Sequence, residues 1–251
     1  MTARTIETSP LGYARLGGAL YLAIILLGAF AEGFVTNKLL VAGDAAATAH
    51  NILAAPLLWR CGVAANVLVV VFAVPLLWIE YLLLRPVSKS LVLLAVFLNL
   101  VSLAAEAVSK VFMLLVLPTL ESPEYLQAFG SQQVAMLAKL ALTLHGISFN
   151  VALLFFGFTC LVNGYLIYKS GYFPKVVGTL LQVAGAGYLV GCSAALFSPA
   201  LAAVLIPGIL LLPLVGELSF CLWLLAKGVN SAQWQARMSP SPGGQAPTIE
   251  G

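Results

Sequence analysis

Apolar residues in this chain neither alternate nor mark one helical face. They fill runs of about 20 residues between short polar breaks, the length a helix needs to cross a bilayer. Six such runs predict six transmembrane helices, about Gly12–Thr36, Pro56–Leu84, Leu91–Leu117, Ala141–Tyr168, Pro174–Phe197 and Leu201–Ala226. Breakers separate them: Arg85-Pro86, Pro118, the segment from Ser170 to Pro174, Ser198-Pro199 and Gly228. The predicted fold class is all-α, a six-helix polytopic membrane bundle over residues 1–229. The stretch from Asn230 to Gly251, rich in Pro, Gly, Ser and Gln, reads as a disordered cytoplasmic tail.

Two polar connections carry helical signals of their own. Asp44 before Ala45-Ala46-Ala47-Thr48-Ala49 has the pattern of an N-cap opening a short interfacial helix. Ser122-Pro123-Glu124 starts a second helical turn, and Gln132 to Lys139 continues as helix into the fourth span.

Composition supports the membrane assignment. Of 251 residues 61% are hydrophobic and only 8% charged, where a soluble domain carries roughly a quarter charged residues. The net charge of +3 reports loop orientation in such a protein, not nucleic-acid binding. Arg4, Arg15, Arg85, Lys89, Lys169, Lys175, Lys227 and Arg237 all fall on one side, and only Lys38 and Arg60 on the other. The positive-inside rule then places both termini in the cytoplasm of a multi-pass cell-membrane protein. Arg4 and Arg15, an apolar stretch and Ala29-Phe30-Ala31 imitate a cleavable signal, but the stretch is long enough to span and reads as an uncleaved first helix.

Charge inside the spans carries the functional signal. Asn99, Ser102, Glu106 and Lys110 recur at steps of three and four on one face of the third span. Glu106 precedes Lys110 by four residues, the favourable order for an intrahelical pair. Glu32, Arg60, Lys139, His145 and Asn150 fall at similar depth in the outer half, and Glu217 lies deeper on the sixth span. Ionisable groups in lipid must face protein, one another or a wet cavity. Glu80, near the cytoplasmic end, reads as a snorkelling partner of Arg85. Small residues at Gly146, Gly157 and Gly164 on span four, and Gly178 and Gly185 on span five, mark faces where helices approach closely.

Chemistry with a sequence signature is missing. There is no metalloprotease helix, Walker loop, nucleophile elbow or pair of histidines for haem, so no cofactor or metal is predicted. Cys61, Cys160, Cys192 and Cys221 read as small core residues, with a Cys61–Cys192 disulfide conceivable.

Several local strings resemble a known family. They include Gly43-Asp44-Ala45-Ala46-Ala47-Thr48 with Asn51-Ile52, then Tyr81-Leu82-Leu83-Leu84-Arg85-Pro86-Val87, then His145-Gly146. Further along come Phe155-Phe156-Gly157, Gly164-Tyr165-Leu166, Ser170-Gly171-Tyr172, Gly187-Tyr188-Leu189, Gly216-Glu217 and Lys227-Gly228-Val229. Together they resemble the bacterial membrane family known as domain of unknown function 4386. The resemblance implies a prokaryotic integral membrane protein and brings no activity or catalytic residue.

Three functions stand open. One is a bundle that binds or passes a small ligand, solute or protons through a polar pocket in the outer half of the membrane, built from Glu32, Arg60, Asn99, Glu106, Lys110, Lys139, His145, Asn150 and Glu217. The second is an accessory subunit or homo-oligomer whose polar residues lock helices and whose partners are other membrane proteins. The third is an intramembrane enzyme acting on a lipophilic substrate with Glu106 or Glu217 as acid or base; no motif supports it.

Overall fold

A computed structural model describes residues 9–238; Arg4 and the predicted tail beyond Met238 lie outside them. Helix α1, Pro10–Gly28, continues without a break through a π-helical stretch, Ala29–Thr36, and a last turn, Asn37–Leu39. Then follow α2 (Ala45–Ala54), α3 (Pro56–Leu84), α4 (Lys89–Glu121), α5 (Pro123–Ser170), α6 (Lys175–Phe197), α7 (Pro199–Ile209), α8 (Leu211–Ala226) and α9 (Ser231–Met238). No strand occurs among the described residues. The predicted cap on α2 forms, with the Asp44 carboxylate accepting from the Ala47 N–H at 2.9 Å.

Among the described residues five single rods are long and apolar enough to cross a membrane: Pro10–Leu39, α3, α4, α5 and α6. The sixth run differs from expectation. Instead of one helix over Leu201–Ala226, it is broken at Leu210 between α7 and α8. Pro213 has no N–H to bond the Ile209 carbonyl, which removes a rung of the helix where it breaks. The 16 residues of α8 measure about 24 Å, short of the roughly 30 Å of hydrocarbon. Helix α5 carries the predicted Ser122 cap and is interrupted at Gly130, whose φ of 74° only glycine adopts freely.

The helices form a closed ring in which α1 neighbours α3, α3 neighbours α4, and so on through α5, α6 and α8 back to α1. The closest seam is α5 on α6. Gly157 faces Gly185 and Gly164 faces Gly178, so that a Cβ added at Gly178 or Gly185 would lie 2.6 Å from the opposing glycine's carbonyl oxygen. The glycine faces read from the sequence are therefore a backbone-to-backbone contact, the tight packing that holds helices together in lipid. Gly18 and Gly216 let α8 approach α1 and α6 in the same way.

Two apolar cores close the ring at opposite ends. One gathers Ile52, Trp59, Met113, Val116 and Ala138 beneath α2. The other gathers Leu83, Tyr172, Phe173, Phe220 and Trp234 beside α9. The second core overturns part of the disordered-tail expectation. Residues Ser231–Met238 are helical, bent 97° from α8, and Trp234 is fully buried. About two helical turns in a Gln- and Pro-rich stretch give composition little to register, and one tryptophan anchors them. The four cysteines are free, with Cys61 exposed and Cys192 buried, so the conceivable disulfide is not formed.

Candidate functional site

Between the two cores lies a cavity of about 360 Å³ to which every helix of the ring contributes. Tyr21 comes from α1, Glu80 from α3, Asn99 and Glu106 from α4, Phe149 and Phe156 from α5, Tyr188 from α6 and Glu217 from α8. The volume falls in the range of small-molecule sites, and the mixture of apolar wall and few polar groups is typical of them. Three carboxylates line it, and no Lys, Arg or His does among the described residues.

Each carboxylate is positioned by a neutral or external partner. Tyr21 donates its hydroxyl to Glu217 at 3.1 Å, and Tyr188 donates to the other oxygen of the same group. Glu80 accepts from the Asn163 amide at 3.0 Å, from α5 across the ring. Glu80 thus turns into the bundle, which corrects the snorkelling role expected from its place near the helix end. Glu106 is paired with Lys110 at 3.5 Å. The ammonium is 2% exposed, does not line the cavity and sits 4.3 Å from the centroid of the Phe149 ring.

Above this pair, Glu32 Oε1 stands 3.8 Å from His145 Nε2. The π-helical stretch that carries Glu32 holds more residues per turn than an α-helix and so re-aims the side chains beyond it. His145 Nδ1 is 3.1 Å from the Ser109 carbonyl, an acceptor only, so Nδ1 carries a proton and Nε2 faces the carboxylate. Glu32, His145, Lys110 and Glu106 form one chain of charged and polar groups leading from the α2 side down to the cavity. Of these four only Glu106 lines the cavity, together with Asn99 and Glu217; Glu32, His145 and Lys110 stand beyond its wall.

Three nominated residues lie elsewhere. Arg60 pairs with Glu121 at 3.6 Å on the outside of the bundle, both side chains largely exposed. Lys139 donates to the Gly43 carbonyl at 3.3 Å, tying α5 to the turn before α2. Asn150 bonds back to the Gly146 carbonyl of its own helix at 2.8 Å. Depth along a span is readable from sequence, but rotation about the helix axis is not, and rotation separates these three from the cluster. Sequence reasoning also missed Tyr21, Tyr188 and Asn163. Their available signal was a polar atom inside an apolar run, which is weaker for a phenol than for a charge.

The model of a family described as Domain of unknown function (DUF4386) matches residues 16–228. The chain belongs to that family. The DUF4386 match reaches into all six helices of the ring and covers every residue lining the cavity. An uncharacterized protein of Archaeoglobus fulgidus is 33% identical over 79 residues, 32% of this chain and 45% of that protein. The chain thus matches less than half the length of that relative. No solved structure matches this DUF4386 chain.

Proposed function

We propose that this multi-pass membrane protein binds a small, largely apolar molecule in the central cavity, with both termini on the cytoplasmic side of the cell membrane. The observation that carries the reading is the shared lining: six helices surround one space and place buried polar groups at its wall. A protein whose polar residues only locked helices would fill that space, because an empty volume forfeits packing energy. The break between α7 and α8 supports entry from the bilayer. Leu210 and Leu214 line the cavity yet are 53% and 50% exposed, which opens its wall sideways beside α1.

The test uses three water-soluble probes of one shape, phenethylamine, 2-phenylethanol and phenylacetate. Binding is measured by titration calorimetry on the purified full-length protein in detergent micelles, with empty micelles subtracted. At least one probe is expected to bind saturably to the wild type. Its binding is lost in Ala73→Phe, which pushes a ring into the cavity from α3. Saturable binding that survives Ala73→Phe, or no binding of any probe, would overturn the reading.

A further inference from the structure

Resting on that reading of the cavity, we infer that its ligand is an organic cation, a protonated amine with an apolar or aromatic body.

Charge balance is the first reason. Glu217 receives two phenol hydroxyls and Glu80 one amide, all neutral donors. Lys110 balances Glu106 from outside the lining, so among the described residues no cation answers the other two carboxylates within the cavity. A carboxyl facing a low-dielectric space ionises readily only with a cation beside it, and then attracts that cation far more strongly than it would in water. An anionic ligand brings further negative charge to a wall that supplies no cation, and a neutral one gains no ion pair there.

The second reason is independent of the acids. Asn99 is 6% exposed, lines the cavity and makes no side-chain hydrogen bond among the described residues. Its amide faces the cavity with its hydrogen-bonding capacity unused. An ammonium N–H donated to the Asn99 oxygen would use it. A third observation concerns the walls. Tyr21, Phe149, Phe156 and Tyr188 present aromatic rings, whose faces attract cations, and Phe149 already holds the Lys110 ammonium in this way.

The same three probes separate this inference from the reading beneath it, because they share a ring and a two-carbon or one-carbon arm and differ in terminal charge. The amine is expected to bind at least about tenfold tighter than the alcohol, and the carboxylate weakest of all. Glu217→Gln and Glu80→Gln are expected to weaken the amine roughly tenfold and leave the alcohol within about twofold. If amine and alcohol bind alike to the wild type, the cation inference fails while the cavity reading stands, and that comparison needs no variant to fold. If the amine is preferred but neither glutamine variant weakens it, the assignment to these carboxylates fails. If no probe binds, both fall together.

Discussion

Lys110 and Glu106, one helical turn apart on α4, face each other with 3.5 Å between Nζ and Oε1, and no hydrogen bond otherwise engages the ammonium. At that distance the contact is an ion pair rather than a short hydrogen bond. Its worth is asymmetric. Taking both charges out of water costs about as much as their attraction returns, whereas removing one partner strands the other. Lys110→Met is expected to destabilise the bundle by about 3–5 kcal/mol, and the double variant Lys110→Met with Glu106→Gln to recover most of that loss. Chemical unfolding in micelles measures both. Additive losses in the double variant would show that the two side chains act independently.

The glycines divide sharply although the sequence marks those of spans four and five alike. Gly178→Ala drives a methyl to within 2.6 Å of the Gly164 carbonyl oxygen and 2.6 Å of the Tyr168 nitrogen. Backbone cannot step aside as a side chain can, so the expected cost is about 1–3 kcal/mol as α5 and α6 are forced apart. A Cβ at Gly146 meets nothing within 4 Å. Gly146→Ala is therefore expected to be neutral or to stabilise by up to about 1 kcal/mol through helix propensity. Melting temperatures of the two variants give the contrast directly; equal losses would mean that the seam does not depend on backbone approach.

Much of this architecture is legible in the chain. Length and continuity of the apolar runs give five of the crossings, because the bilayer selects on just those properties. The spacing of Gly157, Gly164, Gly178 and Gly185 gives the α5–α6 seam, because the heptad step returns each glycine to the same face of its helix. The rest depends on rotation and on local breaks. Glu80 and Arg60 look alike from the sequence, each an ionisable residue close to a helix end, yet one turns inward to Asn163 and the other outward to Glu121. The π-helical stretch of α1 has no compositional mark, and its effect on the direction of Glu32 is visible only once the helix is built.

Arg60 supplies a prediction of the opposite kind to Lys110. Its side chain is 65% exposed and that of Glu121 44% exposed. Solvent screening leaves such a pair little net energy. Arg60→Ala is expected to change stability by less than about 1 kcal/mol and to leave probe binding in the cavity unchanged. A large loss of cavity binding in this variant would return Arg60 to the site from which the geometry removes it.

At the α9 end a single carbonyl explains why a short helix folds against the bundle. Pro86 has no N–H, and the Val87 N–H turns to Leu84, so the last turn of α3 leaves the Leu83 oxygen without a helical donor. The Tyr172 hydroxyl donates to it at 2.7 Å and the Trp234 indole N–H at 3.1 Å. Burial pushes the Tyr172 phenol well above its ordinary value, with the Arg237 guanidinium opposing the shift more weakly. The folded protein therefore keeps a proton that the unfolded chain releases once pH exceeds about 10. Stability from this contact is complete below that pH and drains away as pH rises toward the higher folded value. Tyr172→Phe is expected to cost about 1 kcal/mol at neutral pH and to flatten the alkaline decline. Unfolding midpoints of wild type and variant, followed from neutral to strongly alkaline pH, should then converge; parallel profiles would assign the alkaline loss to another group.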